Sequence, residues 1–79
     1  MSDLRAELAA LVARVARPQL DPAAIVDDTP VLEALDSAAV LELVVLLEER
    51  LGITVRAAEV GPEQLGTFGR LVAFVAARC

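Results

Sequence analysis

Histidine, lysine, tryptophan and tyrosine are absent from the 79 residues, and cysteine occurs once, as Cys79. Without His and with one Cys, neither a Cys/His zinc site nor a Ser-His-Asp or Cys-His triad can be assembled. No metal site and no catalytic residue is therefore expected. One Cys makes no internal disulfide, so nothing argues for an oxidising compartment. Met1-Ser2-Asp3-Leu4-Arg5 lacks the basic start and apolar stretch of a signal peptide. No apolar run approaches the roughly 18 residues that a membrane span needs. The expectation is a cytoplasmic protein that does not engage membrane. Cys79, at the last position beside Arg78, is expected to be dispensable.

Aromatics are scarce as well, at 3 % of a sequence that is 57 % hydrophobic. The core must come from Ala, Val and Leu, which suits closely packed helices better than a β-sandwich. A chain this short makes one small domain, residues 1–79, with little room for a deep enclosed active site.

Positive charge is missing from a long stretch. All seven cations are Arg, and none lies between Arg17 and Arg50. That interval holds Asp21, Asp27, Asp28, Glu33, Asp36, Glu42, Glu48 and Glu49, and the net charge is -5. Such a field repels nucleic acid and anionic lipid and attracts basic protein surfaces. Mutual repulsion among these acids is expected to loosen the protein at low salt.

The apolar pattern is helical. Leu4, Leu8, Leu11, Val12 and Val15 share one face. Ser2 or Asp3 can start this helix and Pro18 lies just past its end, which predicts a first helix over about 3–16. Residues 17–36 do not continue it. Pro18, Pro22 and Pro30 punctuate them, and Asp27-Asp28-Thr29-Pro30 reads as a turn. Leu20, Ile25, Val26, Val31, Leu32 and Leu35 can pin this long loop to the helices. A second helix is predicted over Ala38–Leu51, with Gly52 as its C-terminal cap. Ile53-Thr54-Val55 reads as an extended connector and Pro62-Glu63-Gln64-Leu65 as one helical turn. Thr67 caps a last helix to about Arg78, with Phe68, Leu71, Val72 and Val75 on one face. The expected fold is all-α: a small four-helix bundle of three long helices and one short, with a long loop between helices one and two.

The second helix has more apolar side chains than a core face can use. Val40, Leu43, Val44, Leu47 and Leu51 suffice for packing, and Leu41, Val45 and Leu46 are left over beside Glu42 and Glu49. So small a bundle can scarcely surround one helix, so some of these are expected at the surface, as a docking stripe for basic partners. Part of the excess is expected to lie under the 17–36 loop.

Ser37 follows Asp36 at the head of this helix. By position alone it is an ordinary helix cap. A helix N-terminus also suits a phosphate, because free N–H groups and the dipole face it. With no His or Lys in the chain, any chemistry on Ser37 must be done by another enzyme.

Leu35-Asp36-Ser37, followed by Val40-Leu41-Glu42-Leu43-Val44-Val45-Leu46-Leu47-Glu48-Glu49-Arg50-Leu51-Gly52-Ile53, resembles the central motif of acyl and peptidyl carrier proteins. The likeness extends over nearly the whole chain. It implies an acyl-carrier-like fold with 4'-phosphopantetheine from coenzyme A attached at Ser37. Asp36 matches the acid that positions the loading synthase and its metal ion. Glu42, Glu48 and Glu49 match acidic positions of the partner-recognition helix, Leu41, Val45 and Leu46 match its apolar ones, and Ala38 leaves room at the root of the arm. The pattern departs from the commonest one, with Ala38 after Ser37 and Glu33-Ala34-Leu35 before the pair. In these respects, and from Val55 through Glu59 to Leu65-Gly66-Thr67, it looks more like D-alanyl carriers and stand-alone carriers of specialised metabolism.

The resemblance implies a discrete, monomeric, non-catalytic carrier of an acyl or aminoacyl thioester, in polyketide or nonribosomal peptide biosynthesis. Its partners would be a phosphopantetheinyl transferase, an adenylating ligase or acyltransferase that loads the arm, and downstream acyl-accepting enzymes. Fatty acid synthesis and D-alanyl transfer to the cell wall are the alternatives within the family. An unmodified helical interaction module, in which Ser37 only caps a helix, is the alternative outside it, and a small hydrolase fails for want of a base.

Overall fold

The computed structural model describes residues 3–16 and 19–78. Ser2, Arg17, Pro18 and Cys79, each named above, lie outside the described residues. Among those described, five α-helices and two 3-10 turns form and no strand does: α1 (Leu4–Val15), a 3-10 turn (Pro22–Ala24), α2 (Val31–Ala34), α3 (Ser37–Leu51), a 3-10 turn (Ala57–Glu59), α4 (Pro62–Leu65) and α5 (Phe68–Ala76). The three long helices are those the periodicity predicts.

Local chemistry sets the ends of each. Asp3 caps α1 by accepting the amides of Arg5 and Ala6. Thr67 caps α5 through the Arg70 amide, 3.2 Å away. α3 stops at Gly52, whose φ of 67° lies in the left-handed region that glycine enters without a Cβ penalty. Residues 53–56 form no helix and pair with no strand among the described residues, and Arg56 at their end is extended.

α1 is the hub, packed on α3, α5 and the first 3-10 turn, while α4 lies on α5. Leu8, Val12 and Val15 meet Leu43 and Leu47 of α3 and Phe68, Leu71 and Val75 of α5, all with essentially no exposure. Each such side chain contributes about 1.5–3 kcal/mol over an exposed one. Val40, Val44, Leu51 and Val72, expected on core faces, are half-buried at the edges.

The 19–36 segment is ordered by backbone bonds as well as by apolar pins. Gly69 N–H donates to Asp27 O at 3.0 Å, Phe68 N–H to Thr29 O at 2.9 Å and Val31 N–H to Gly66 O at 3.2 Å. This run lies along the start of α5 and satisfies amides that a buried loop would otherwise strand. Arg5 joins it, ion-paired with Asp27 and with its guanidinium 5.2 Å from the Phe68 ring centre. Ile25, Val31 and Leu35 are buried and Leu20 and Leu32 half-buried. Two expectations need correction here. Val26 does not pin the loop: it is exposed, because its amide turns in to the Thr29 hydroxyl in a tight turn. The loop also contains a helical turn, α2, which Pro30 opens.

The acid-rich stretch is likewise less bare than its sequence. Asp27 borrows Arg5 from α1, Asp21 accepts the Ala23 amide, and Glu48 accepts the Val55 amide at 3.0 Å.

Candidate functional site

The head of α3 divides two tasks between adjacent residues. Asp36, in an extended conformation, is the cap, and its carboxylate accepts the Ala39 amide at 2.7 Å. Its carbonyl accepts the Val40 amide at 2.9 Å. Ser37 is then the first helical residue, one position beyond the cap. It is exposed, and its hydroxyl makes no hydrogen bond among the described residues. The reading of Ser37 as an ordinary cap therefore fails on geometry, because Asp36 occupies that position.

The amides of Ser37 and Ala38 also have no partner among the described residues. They belong to the set of N–H groups that an α-helix leaves open at its start, where the dipole favours negative charge. A phosphodiester on Ser37 Oγ would meet two free donors and the small, exposed Ala38. The residues present fit that group.

Ser37 begins a helix face that continues into an apolar pocket. Residues three, four and seven positions along an α-helix share a face. Here they are Val40, Leu41 and Val44, roughly 4.5 to 10.5 Å up the axis from Ser37. These three line one side of a half-open cavity of about 380 Å³, and Val55, Ala57 and Val60 line the other. Every lining side chain is aliphatic. The extended segment and 3-10 turn after α3 thus form an outer wall facing the serine's own helix face, an arrangement the sequence reading did not find.

Around the same helix, at about 100° per residue, Leu41, Val45, Ala38, Glu49 and Glu42 succeed one another on an arc about 100° wide that starts beside Ser37. All five are exposed, Leu41 by 67 % and Val45 by 51 %. The described part of the loop, residues 19–36, leaves Leu41 and Val45 uncovered. Leu46 lies beyond one side of the arc, half-buried against the core. Glu48 lies at the other, half-buried and bonded to the Val55 amide.

The layout is that of an acyl-carrier-type helical bundle. The phosphopantetheine attachment site family matches residues 6–75, nearly the whole of α1 to α5, and the chain belongs to that family. Its members are carriers with 4'-phosphopantetheine covalently attached. No curated protein and no solved structure gave a significant match. Among the described residues no helix is long and apolar enough to cross a membrane, and no cluster of acids could hold a metal ion.

Proposed function

We propose that Ser37 is the attachment residue and that the chain carries an apolar acyl or aminoacyl group between partner enzymes. The observation that carries this reading is the freedom of the Ser37 hydroxyl: exposed, without a hydrogen bond among the described residues, and relieved of capping by Asp36. When bound, the prosthetic group supplies a thiol that holds the cargo as a thioester. The protein's own part is to offer one hydroxyl, hold two amides open to the phosphate, and keep Asp36 at the adjacent position for the loading transferase. No His or Lys is present to act as a base on Ser37, so loading falls to a phosphopantetheinyl transferase with coenzyme A.

The pocket supports an apolar cargo over a charged one, since its lining is aliphatic throughout. The cargo proposed is an amino acid with an apolar side chain or a specialised acyl unit. An adenylating ligase or acyltransferase would load it, in the manner of stand-alone or D-alanyl carriers. Ala38 after Ser37 supports that choice over a housekeeping fatty acid carrier. The test is intact-mass measurement after incubation with a broad-specificity transferase and coenzyme A. One arm is expected on the wild type and none on Ser37→Ala. An arm on Ser37→Ala would refute the assignment.

A further inference from the structure

The outer wall of the apolar pocket is held by charged side chains from two other parts of the chain. Arg78, just beyond α5, reaches back 24 positions to donate to the Thr54 carbonyl at 3.0 Å. Its other terminal nitrogen pairs with Glu59. Its guanidinium lies 4.7 Å from the centre of the Phe74 ring, which fixes the direction of its reach. Thr54 and Glu59 flank the wall on either side of Val55 and Ala57. Glu59 also accepts the Arg56 amide at 3.0 Å, so one carboxylate joins the wall to itself and to Arg78. The pair is more shielded than a usual surface bridge, with the Glu59 side chain only 19 % exposed. A planar guanidinium with several fixed donors can hold two acceptors at once, which a point-charge ammonium does poorly.

We propose that Arg78 is a positioning residue. By joining Thr54 to Glu59 it closes the outer wall over Val40 and Val44 and limits the length of the apolar chain the pocket admits. The proposal rests on the carrier reading for its occupant. It does not need Ser37 to be the attachment point.

The other ties of the wall are local to it or lie at its inner end, where Ile53 and Val55 are buried in the core. The segment 53–56 pairs with no strand. Val55 is tied inward by Glu48, but Ala57 is exposed and Val60 only half-buried. Loss of Arg78 removes the two contacts that tie the outer turn to α5, so the turn should loosen about the Val55 anchor and the pocket should admit a longer chain.

The unmodified full chain serves for the test, with Arg78→Met and Glu59→Gln as independent variants. Arg78→Met keeps an unbranched stem, and Glu59→Gln keeps an acceptor for the Arg56 amide. Amide hydrogen exchange at Arg56, Glu59 and Val60 should quicken about tenfold in both, as expected for one lost charge-assisted contact. Leu11 and Val12 in α1 should be unchanged. Free straight-chain alkanoyl pantetheines of increasing length are then titrated, with the methyl resonances of Val40, Val44 and Val60 as the readout. In the wild type the response should grow with chain length and then stop. In both variants the stopping length should increase. Unchanged exchange at the wall, equal acceleration in α1, an unchanged stopping length, or no methyl response at any length would each overturn the proposal. Failure of Ser37 to accept an arm would overturn the attachment reading and leave these results standing.

Discussion

Asp36 accepts the Ala39 amide at 2.7 Å, and the neighbouring Ser37 is left with a hydroxyl that bonds to nothing among the described residues. The two residues should therefore separate under mutation. Ser37→Ala should change stability by no more than about 0.5 kcal/mol, whereas Asp36→Ala should cost about 1 kcal/mol for the lost cap. Asp36→Asn preserves a capping oxygen and removes the charge. It should melt in urea like the wild type yet accept the arm more slowly. Wild-type loading by Asp36→Asn would confine the acid to capping.

Gly66 supports a second prediction. A Cβ there would run into the Pro62 carbonyl, and that carbonyl accepts the Gly66 amide at 2.9 Å. The Gly66 carbonyl in turn accepts Val31 N–H from α2. Gly66→Ala should destabilise by about 1–3 kcal/mol, the usual cost of forcing an atom into packed structure. The 27–31 segment should also loosen. Denaturant melts measure the first effect and amide exchange at Val31 and Phe68 the second.

The charge pattern supports a third. Asp28, Glu33, Glu42 and Glu49 are exposed, and among the described residues no cation pairs with them. Screening them should outweigh the weakening of the exposed Arg5–Asp27 pair, which is worth under about 1 kcal/mol. Added salt should thus raise the melting temperature. Removing Arg5 takes away the cation that serves Asp27. Arg5→Ala should melt lower than the wild type at low salt, with a steeper rise as salt is added. Equal slopes for the two proteins would show that the pair does not offset the repulsion.

What could be read from the sequence was whatever is local and periodic. Leu4 to Val15 announced α1, and Thr67 with Phe68, Leu71 and Val75 announced α5, because caps and spacing within one helix determine them. The four residues of α2 are too few to show a period, and Pro30 before them read as a turn. By position Ser37 read as the cap of α3, but Asp36 is as good a cap by residue type and only the backbone angles, which the sequence does not show, give it that place. The pocket wall was hidden for another reason. Arg78 meets Thr54 and Glu59 only after α5 has packed on α1 and brought the chain's end back to the middle. Glu48 likewise looked like one more surface acid until the extended run from Ile53 brought the Val55 amide to it. The excess of apolar residues on the second helix was legible as a surplus, but that Leu46 packs against the core while Leu41 and Val45 stay exposed depends on how the helix is turned in the bundle.

The last prediction concerns the arc beside Ser37. Leu41 and Val45 are exposed apolar side chains, with Glu42 and Glu49 next to them and Ala38 leaving the approach to Ser37 clear. If a basic loading enzyme docks here, charge should govern encounter and the apolar pair should govern residence. Glu42→Lys and Glu49→Lys should slow association, and the loss should shrink at high salt. Val45→Asp should speed dissociation and leave the salt dependence largely intact. The same holds for Leu41→Asp, although Leu41 also lines the pocket and its variant should blunt binding of apolar chains. Leu46→Asp is a different case. Leu46 packs against the core, so this variant should lose stability before it tests any interface. Glu48→Lys should act in the same way, because it leaves the Val55 amide without its acceptor. Surface plasmon resonance with the loading enzyme over a salt series measures the rates, and circular dichroism shows which variants are folded. If folded Val45→Asp and Glu42→Lys bind like the wild type, partners approach by another face. If Val45→Asp unfolds, the arc is part of the core and the docking surface does not exist.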